Sequence, residues 1–191
     1  MKVEIFDDMS QCTEAEVQRM SSLIPAWRCE QAMRFKHTFG QYACMKSFLM
    51  LSELLKSTKN ISSENIRFAY NEHGKPFIKS IPSTSIFFNI SHCRDAIGVV
   101  VSDTPVGLDV ESIREASDSL IEKTMNTEEQ NQIREAINSP EQFIVFWTRK
   151  EALFKKIGTG ITDDIRDILN DAENIKTTIN HEKQYVWSVA Y

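Results

Sequence analysis

The chain has 191 residues, of which 41% are hydrophobic and 26% are charged, so its core can form without disulfide bonds. It contains 22 Lys and Arg against 27 Asp and Glu, and the resulting net charge of −5 argues against general nucleic-acid binding. No apolar run approaches the ~20 residues of a membrane span, and the first residues lack the apolar stretch of a signal peptide; we therefore predict a cytoplasmic protein that binds neither membrane nor nucleic acid.

Strand and helix patterns alternate along the first part of the chain. The predicted elements are a strand, a helical stretch broken at Pro25, an amphipathic helix and a second strand, at 3–6, 10–34, 39–55 and 66–70. Asn71, Gly74 and Pro76 then mark a turn. Three runs rich in Ile, Val and Phe follow, and we expect them to be strands, at 85–90, 96–102 and 106–110.

Helical periodicity returns in the second part of the chain, at 117–137 and again at 140–157. Ser139 can cap the second of these helices, with Pro140 at its first helical position and Gln142 completing a capping box. Gly158 can end the helix in a left-handed conformation. Three further strands are expected, at 165–169, 174–179 and 185–190. Since each half of the chain offers helices and then strands, we predict an α+β fold with a duplicated layout.

Two acidic residues alternate along the third β-like run, where the sequence reads Gly-Leu-Asp-Val-Glu. Asp109 and Glu111 leave the same face of such a strand, whereas Leu108 and Val110 occupy the other face. Two neighbouring carboxylates repel each other unless a cation lies between them, and oxygen ligands favour a hard ion such as Mg²⁺. A solvated strand edge is the alternative interpretation.

The helix 140–157 carries a third carboxylate. Trp147, Glu151 and Lys155 are spaced by four residues and therefore lie on one side of the helix. Such a Glu–Lys pair is ordinarily a surface feature worth ~0.3–0.5 kcal/mol, so the spacing by itself does not define a site.

His92 ends a strand and can project into a cleft, although a single histidine is more often a structural hydrogen-bonding residue than a catalytic one. The neighbouring Ser91 points to the opposite face, which argues against a Ser-His catalytic pair.

The segment 28–59 has an excess of Lys and Arg that could bind phosphates or form an ordinary charged helix face. The four cysteines show no CxxC spacing and indicate neither zinc nor a redox pair.

Four motifs in this order resemble the Sfp-type 4′-phosphopantetheinyl transferases. They read His-Gly-Lys-Pro, Phe-Asn-Ile-Ser-His, Val-Gly-Leu-Asp-Val-Glu and Phe-Trp-Thr-Arg-Lys-Glu-Ala, at 73–76, 88–92, 106–111 and 146–152, with Lys155 after the last. Their order and spacing agree with the family from about residue 73 to residue 160. The last two motifs form the signature of the family.

The resemblance implies a 4′-phosphopantetheinyl transferase fold with two similar α+β halves related by pseudo-twofold symmetry. We expect residues 1–103 to form the half that holds the adenine and 3′-phosphate of coenzyme A. We expect residues 104–191 to form the half with the metal site and catalytic helix. The implied metal is Mg²⁺, with Mn²⁺ as the alternative, and coenzyme A is the implied substrate.

The resemblance also assigns roles to individual residues. The implied metal ligands are Asp109, Glu111 and Glu151. The implied catalytic residues are Glu151, which takes the proton of the acceptor serine, together with Lys155 and His92. The residues implied to bind coenzyme A are His73, Gly74, Lys75, Pro76, Ser91, His92, Lys150, Lys155, Lys46 and Arg28.

The implied reaction transfers the phosphopantetheine arm of coenzyme A to a serine of an apo acyl or peptidyl carrier protein and releases adenosine 3′,5′-bisphosphate. The resemblance further implies a monomer. Two alternatives stay open, a metal-dependent phosphohydrolase of a nucleotide diphosphate and a non-catalytic homologue that binds carrier proteins. The carrier and its pathway cannot be read from the sequence.

Overall fold

Helices and antiparallel strands recur in two successive groups in the computed structural model, which describes residues 1–79 and 86–191. The first group consists of β1 (Lys2–Phe6), α1 (Glu14–Ser21), α2 (Ala26–Ala32), α3 (Thr38–Lys59), β2 (Phe68–Tyr70), β3 (Pro76–Ile78), β4 (Phe87–His92) and β5 (Ile97–Ser102). The second consists of β6 (Gly107–Ser112), α4 (Asp118–Thr124), α5 (Thr127–Glu135), α6 (Ser139–Ile157), β7 (Ile175–Asn180) and β8 (Tyr185–Ala190). We call these groups the N-terminal and C-terminal halves.

Each half combines one long helix with a three-stranded antiparallel sheet. The strand order is β1-β5-β4 in the N-terminal half and β6-β8-β7 in the C-terminal half. Helix α3 buries Tyr42, Phe48 and Leu51 against the first sheet, while α6 buries Phe143 and Ile144 in the second half. The predicted α+β fold with two similar halves is confirmed.

Contacts between the two halves begin at the end of β1. Asp7 accepts hydrogen bonds from the Lys183 ammonium and the Tyr185 hydroxyl, each at 2.9 Å. These bonds lower the pKa of Asp7, with the bond from Lys183 as the largest cause. The first strand of the chain is therefore fastened to the last hairpin. Within the described part of the chain, no helix is long and apolar enough to cross a bilayer.

Several element boundaries differ from the predictions. The predicted strand 165–169 is wrong, because a short 3-10 turn covers Asp163–Arg166 and only Ile165 of that turn is buried. Strand β3 was not predicted, since its three residues are too few for a periodic pattern. Ser85, the first residue of one predicted strand, lies outside the described residues.

The ends of α6 show which local signals decide a helix boundary. Asn138, not Ser139, caps the N-terminus, and its side chain accepts a hydrogen bond from the backbone N–H of Glu141 at 3.2 Å. Asn and Ser cap helices about equally well, so the sequence offered two adjacent candidates. The prediction for Gly158 is confirmed, because it has φ of 86° and its N–H bonds to the carbonyl of Phe154.

Candidate active site

The two halves meet where β4 runs beside β6. Asn89 and Ser91 on β4 reach across with their side chains. The side-chain oxygen Oδ1 of Asn89 accepts a hydrogen bond from the backbone N–H of Leu108 at 2.9 Å. The Ser91 hydroxyl accepts one from the backbone N–H of Val110 at 3.2 Å. Side chains thus supply hydrogen bonds that a further strand would otherwise give to β6. This contact places the end of β4 next to the acidic motif.

Alternation along β6 sends its acidic and apolar residues to opposite faces. A Cβ atom added at Gly98 would lie 2.8 Å from Val110 and 2.9 Å from Leu108, so these two apolar side chains face the N-terminal half. The other face of β6 lies against α6, where Asp109 forms an ion pair with Lys155. The acidic face of the strand therefore opens toward the helix that carries Glu151 and Lys155.

Gly107 permits the close approach of α6 to β6. A Cβ atom at Gly107 would lie 1.9 Å from the carbonyl oxygen of Ala152 and 2.3 Å from the backbone nitrogen of Lys156. Both atoms belong to the helix backbone, which cannot move without moving the whole helix. The glycine of the motif is therefore a packing requirement, and this role was missed because a sequence pattern does not show which backbone lies opposite.

Asp109 has one well-bonded oxygen and one without a partner. Its Oδ1 atom accepts hydrogen bonds from the Ser91 hydroxyl at 2.9 Å and from the Lys155 ammonium at 2.6 Å. Its Oδ2 atom is buried and forms no hydrogen bond. A buried oxygen without a partner is costly, which marks this atom as a candidate ligand position.

The negative charge of Asp109 affects the pKa of both Glu111 and Glu151. Burial raises the pKa of Glu111 above its usual range, and the neighbouring charge of Asp109 raises it further. Burial is also the largest cause of the raised pKa of Glu151, to which the charges of Asp109 and Glu111 add, while Lys155 opposes the shift. The three carboxylates therefore form one electrostatic group around Lys155.

A divalent cation fits this group by charge and by donor type. All the candidate ligands are carboxylate oxygens, as a hard cation prefers, and the bare Oδ2 of Asp109 lacks any other partner. Within residues 1–79 and 86–191, however, no three acidic, histidine or cysteine side chains are gathered into a ready-made metal site. In this arrangement Lys155 supplies the positive charge next to Asp109.

A cavity of about 370 Å³ extends from this group into the N-terminal half, between α2, α3 and β4. Arg28 and Lys155 contribute its cationic groups, His92 adds an imidazole, and Ser91 also reaches its wall. The guanidinium of Arg28 is buried and donates to Gln31 and to the carbonyl of Cys44. This arrangement suits an anionic ligand, because cations that converge in a concave site concentrate positive potential.

His92 is exposed to this cleft, whereas the preceding Ser91 is buried, as alternation along a strand requires. Its ring packs edge-on against Phe39 with the centroids 5.7 Å apart. Partial desolvation between the cleft walls lowers the pKa of His92, and the positive charge of Lys155 lowers it further. The neutral imidazole is therefore favoured more strongly than in a free histidine, and a bound anion would shift the balance toward the protonated form.

A second cavity, of about 300 Å³, lies between the segment 73–76 and α6. His73 and Pro76 line it together with Glu151 and Phe154. The segment is held by Asn71, whose side-chain oxygen accepts two backbone N–H groups of the turn and whose amide donates to the carbonyl of Gly158 at 2.9 Å. Asn71 was not predicted as a site residue, although an Asn that precedes a Gly by three residues is a turn signal.

The ammonium of Lys75, a residue that also lines this second cavity, is bound by two backbone carbonyls. It donates to the carbonyls of Val106 at 3.3 Å and Lys156 at 2.9 Å, so it bridges the two halves at the C-terminal end of α6. Burial lowers the pKa of Lys75. Lys75 therefore places the segment 73–76 through its side chain and also lines the cavity.

Lys46 and Lys150, two of the predicted coenzyme A ligands, lie away from the cleft. The Lys46 ammonium sits 3.8 Å from the centre of the Phe6 ring. The Lys150 ammonium is fully buried, 2.8 Å from a Glu129 oxygen, and it donates to the carbonyls of Ile165 and Arg166. Helix geometry explains where Lys150 lies, because residues 150 and 155 are five positions apart and do not share a helix face.

Replacing Lys150 with methionine should cost stability without weakening the binding of coenzyme A. The change leaves the buried carboxylate of Glu129 without its cation, which typically costs about 3–5 kcal/mol. Urea unfolding measures the free-energy loss, and calorimetric titration of the folded variant with coenzyme A measures binding.

The matched control is Lys156→Met, because the Lys156 ammonium bonds the carbonyl of Tyr191 at an exposed position. It should change stability by less than about 1 kcal/mol. Adding Glu129→Gln to Lys150→Met should recover part of the loss. A glutamine can still accept the backbone N–H of Asn126, which Glu129 accepts at 2.9 Å at the start of α5, and it removes the unpaired charge. Weaker coenzyme A binding by folded Lys150→Met would contradict the structural role.

Comparison with known proteins identifies the class to which this site belongs. The family model described as "4'-phosphopantetheinyl transferase, N-terminal" matches residues 10–104, and the model of the 4'-phosphopantetheinyl transferase superfamily matches residues 105–191. The chain therefore belongs to the 4′-phosphopantetheinyl transferases and is an enzyme of the Sfp type.

Three similar proteins place the chain within that class. It is 29% identical to "4'-phosphopantetheinyl transferase gsp" of Aneurinibacillus migulanus, over 84% of this chain and 67% of the relative. It is 23% identical to "4'-phosphopantetheinyl transferase Sfp" of Bacillus subtilis strain 168, over 78% and 67%. It is 35% identical to "4'-phosphopantetheinyl transferase AcpT" of Escherichia coli O157:H7, over 47% of each chain. The matched region spans about two thirds of the length of the first two relatives.

Proposed function

We propose that the protein transfers the 4′-phosphopantetheine group of coenzyme A to a serine of an apo acyl or peptidyl carrier protein in a Mg²⁺-dependent reaction. The serine oxygen forms a bond to the phosphorus that bears the pantetheine arm. The bond from that phosphorus to the bridging oxygen breaks, and adenosine 3′,5′-bisphosphate leaves. The serine proton passes to a base.

One observation carries the proposal. The carboxylates of Asp109, Glu111 and Glu151 interact electrostatically around Lys155. Of this group, Glu151 lines the cavity beside the segment 73–76, and Lys155 lines both cavities. Phosphoryl transfer depends mainly on positioning and on compensation of negative charge, and such a group of acids and a lysine can supply both.

Glu151 is the candidate base. Its raised pKa makes its carboxylate a stronger base than that of a free glutamate. It lines the cavity beside the segment 73–76, so an acceptor group entering that cavity can reach it. Lys155 reaches both cavities and can compensate the charge of the diphosphate.

Asp109, Glu111 and Glu151 would hold the metal ion. Mg²⁺ supplies charge compensation for phosphate oxygens when it is bound. Lys155 pairs with Oδ1 of Asp109, and Oδ2 of the same carboxylate would face the metal ion. From this position the Lys155 ammonium would compensate the negative charge of the diphosphate.

The anionic end of coenzyme A is assigned to the cavity of about 370 Å³. Arg28 and His92 there suit the 3′-phosphate, since the imidazole gains a proton most readily beside an anion. The segment 73–76 suits the adenine end. Residues 1–103 would thus hold the nucleotide, and residues 104–191 would hold the metal and the catalytic helix. We further propose a monomeric protein in the cytoplasm.

The test is incubation with coenzyme A, Mg²⁺ and several apo carrier proteins, followed by mass spectrometry of each carrier. We expect one carrier to gain one phosphopantetheine group and the nucleotide to appear as adenosine 3′,5′-bisphosphate. Release of free phosphopantetheine without a carrier would indicate a phosphohydrolase instead. Carrier binding with no modification of any carrier would indicate a non-catalytic homologue.

A further inference from the structure

The hydroxyl of Ser91 makes three hydrogen bonds at the interface of the two halves. It donates to Asp109 Oδ1 at 2.9 Å and accepts from the backbone N–H of Val110 at 3.2 Å. It also accepts from the ammonium of Lys155 at 3.1 Å. Ser91 belongs to β4 of the N-terminal half, whereas its three partners all belong to the C-terminal half.

These bonds use the full hydrogen-bonding capacity of the side chain. A hydroxyl has one donor hydrogen and two acceptor lone pairs, so three partners leave nothing for a ligand. The residue is also buried, with 7% exposure. A ligand that bonded to Ser91 Oγ would have to break one of these contacts, and it would find little surface to touch.

The partners of Ser91 are the groups on which the proposed reaction depends. The same Asp109 oxygen receives both the serine hydroxyl and the Lys155 ammonium, so the three groups form a closed triangle. Asp109 can rotate about its terminal bond, and Lys155 has four flexible bonds in its stem. A fixed serine on a neighbouring strand restricts both.

We propose that Ser91 is a positioning residue that orients Asp109 and Lys155 toward each other across the interface, and that it does not bind coenzyme A. This role rests on the proposed function, because it concerns the groups that perform that reaction. It replaces the contact with coenzyme A that the family resemblance implies for Ser91.

The test separates catalysis from substrate binding. In the Ser91→Ala variant we expect kcat to fall by about 10- to 100-fold, as is typical when a supporting contact of a catalytic group is lost. Calorimetric titration should give a Kd for coenzyme A within about 2-fold of the wild-type value, since no ligand contact is removed. Ser91→Thr, which keeps a hydroxyl, should recover most of kcat.

Ser102→Ala is the matched control. Ser102 is another buried serine of the same sheet, and its hydroxyl accepts the backbone N–H of Thr104 at 3.2 Å, the same length as the Val110 bond to Ser91. The two alanine variants therefore lose the same kind of backbone contact. We expect a loss of kcat for Ser91→Ala alone, and a larger fall in Tm for Ser91→Ala because it also loses the bonds to Asp109 and Lys155.

Two results would overturn the assignment. One is an unchanged kcat in Ser91→Ala, and the other is a Kd for coenzyme A that weakens by about 10-fold or more, which would indicate a direct contact. If Ser91→Ala does not fold, Ser91→Thr decides, because loss of kcat in a folded variant that keeps the hydroxyl would refute positioning through hydrogen bonds. Failure of the proposed function itself would appear separately, as a wild-type protein that modifies no carrier.

Discussion

Replacing Gly107 with alanine should destabilise the protein and disable the site together. The added Cβ atom would lie 1.9 Å from the carbonyl oxygen of Ala152, so α6 must move away from β6. We expect a loss of about 3 kcal/mol, at the upper end of the usual cost of overpacking. For a chain of this length, this corresponds to a fall of about 6–12 °C in Tm, measured by calorimetry.

The same movement should lower activity in whatever fraction stays folded. Displacing α6 carries Glu151 and Lys155 away from Asp109, and a misplacement of about 1 Å can cost about 100-fold in rate. Gly98→Ala is the control, since its Cβ atom would meet only the ends of the Val110, Leu108 and Ile5 side chains. We expect that variant to lose about 1 kcal/mol. Equal losses of stability in Gly107→Ala and Gly98→Ala would contradict a collision between the added Cβ atom and the backbone of α6.

Glu151→Gln should abolish most of the transferase activity while raising thermal stability. If glutamate takes the serine proton, its removal costs about 100- to 10,000-fold in kcat, measured with a carrier protein and coenzyme A. The fold should gain stability at pH values above the raised pKa of Glu151, because burial and neighbouring acids make its charged form unfavourable there. Opposite signs for activity and Tm would identify a residue kept for function.

The stability gain of Glu151→Gln should depend on pH. As pH falls through the raised pKa, wild-type Glu151 takes up a proton in the folded state and loses the unfavourable charge, so the difference in Tm between variant and wild type should shrink. Glu135→Gln, at an exposed position of α5, serves as the control and should leave both kcat and Tm unchanged. Full activity in Glu151→Gln would remove this residue from the proposed mechanism.

Simple periodicities predicted the framework of the candidate site. Alternation along β6 placed Asp109 and Glu111 on one face, and the four-residue spacing on α6 placed Glu151 and Lys155 on one side. Both inferences need only local geometry, which strands and helices repeat along their length. The meeting of that strand face with that helix side came from the family resemblance, because neither spacing contains information about its partner.

Contacts between distant parts of the chain limited the remaining predictions. Lys150 and Lys155 are equally plausible phosphate ligands in the sequence, yet the first is paired with Glu129 inside the C-terminal half and the second faces Asp109. The collision that makes Gly107 necessary involves a helix some 45 residues further along the chain. No local sequence pattern predicts the pairing of Lys150 with Glu129 or the contact of Gly107 with α6.

The bonds that join the two halves bear on how a ligand would enter. Asp7 fastens the first strand to the last hairpin, and Asn71 and Lys75 fasten their loop to the end of α6 at a separate place. Rotation of one half against the other would have to break both sets. The cleft between the halves is therefore preformed, and substrate binding does not require the halves to close. Little free energy of association is then spent on domain movement.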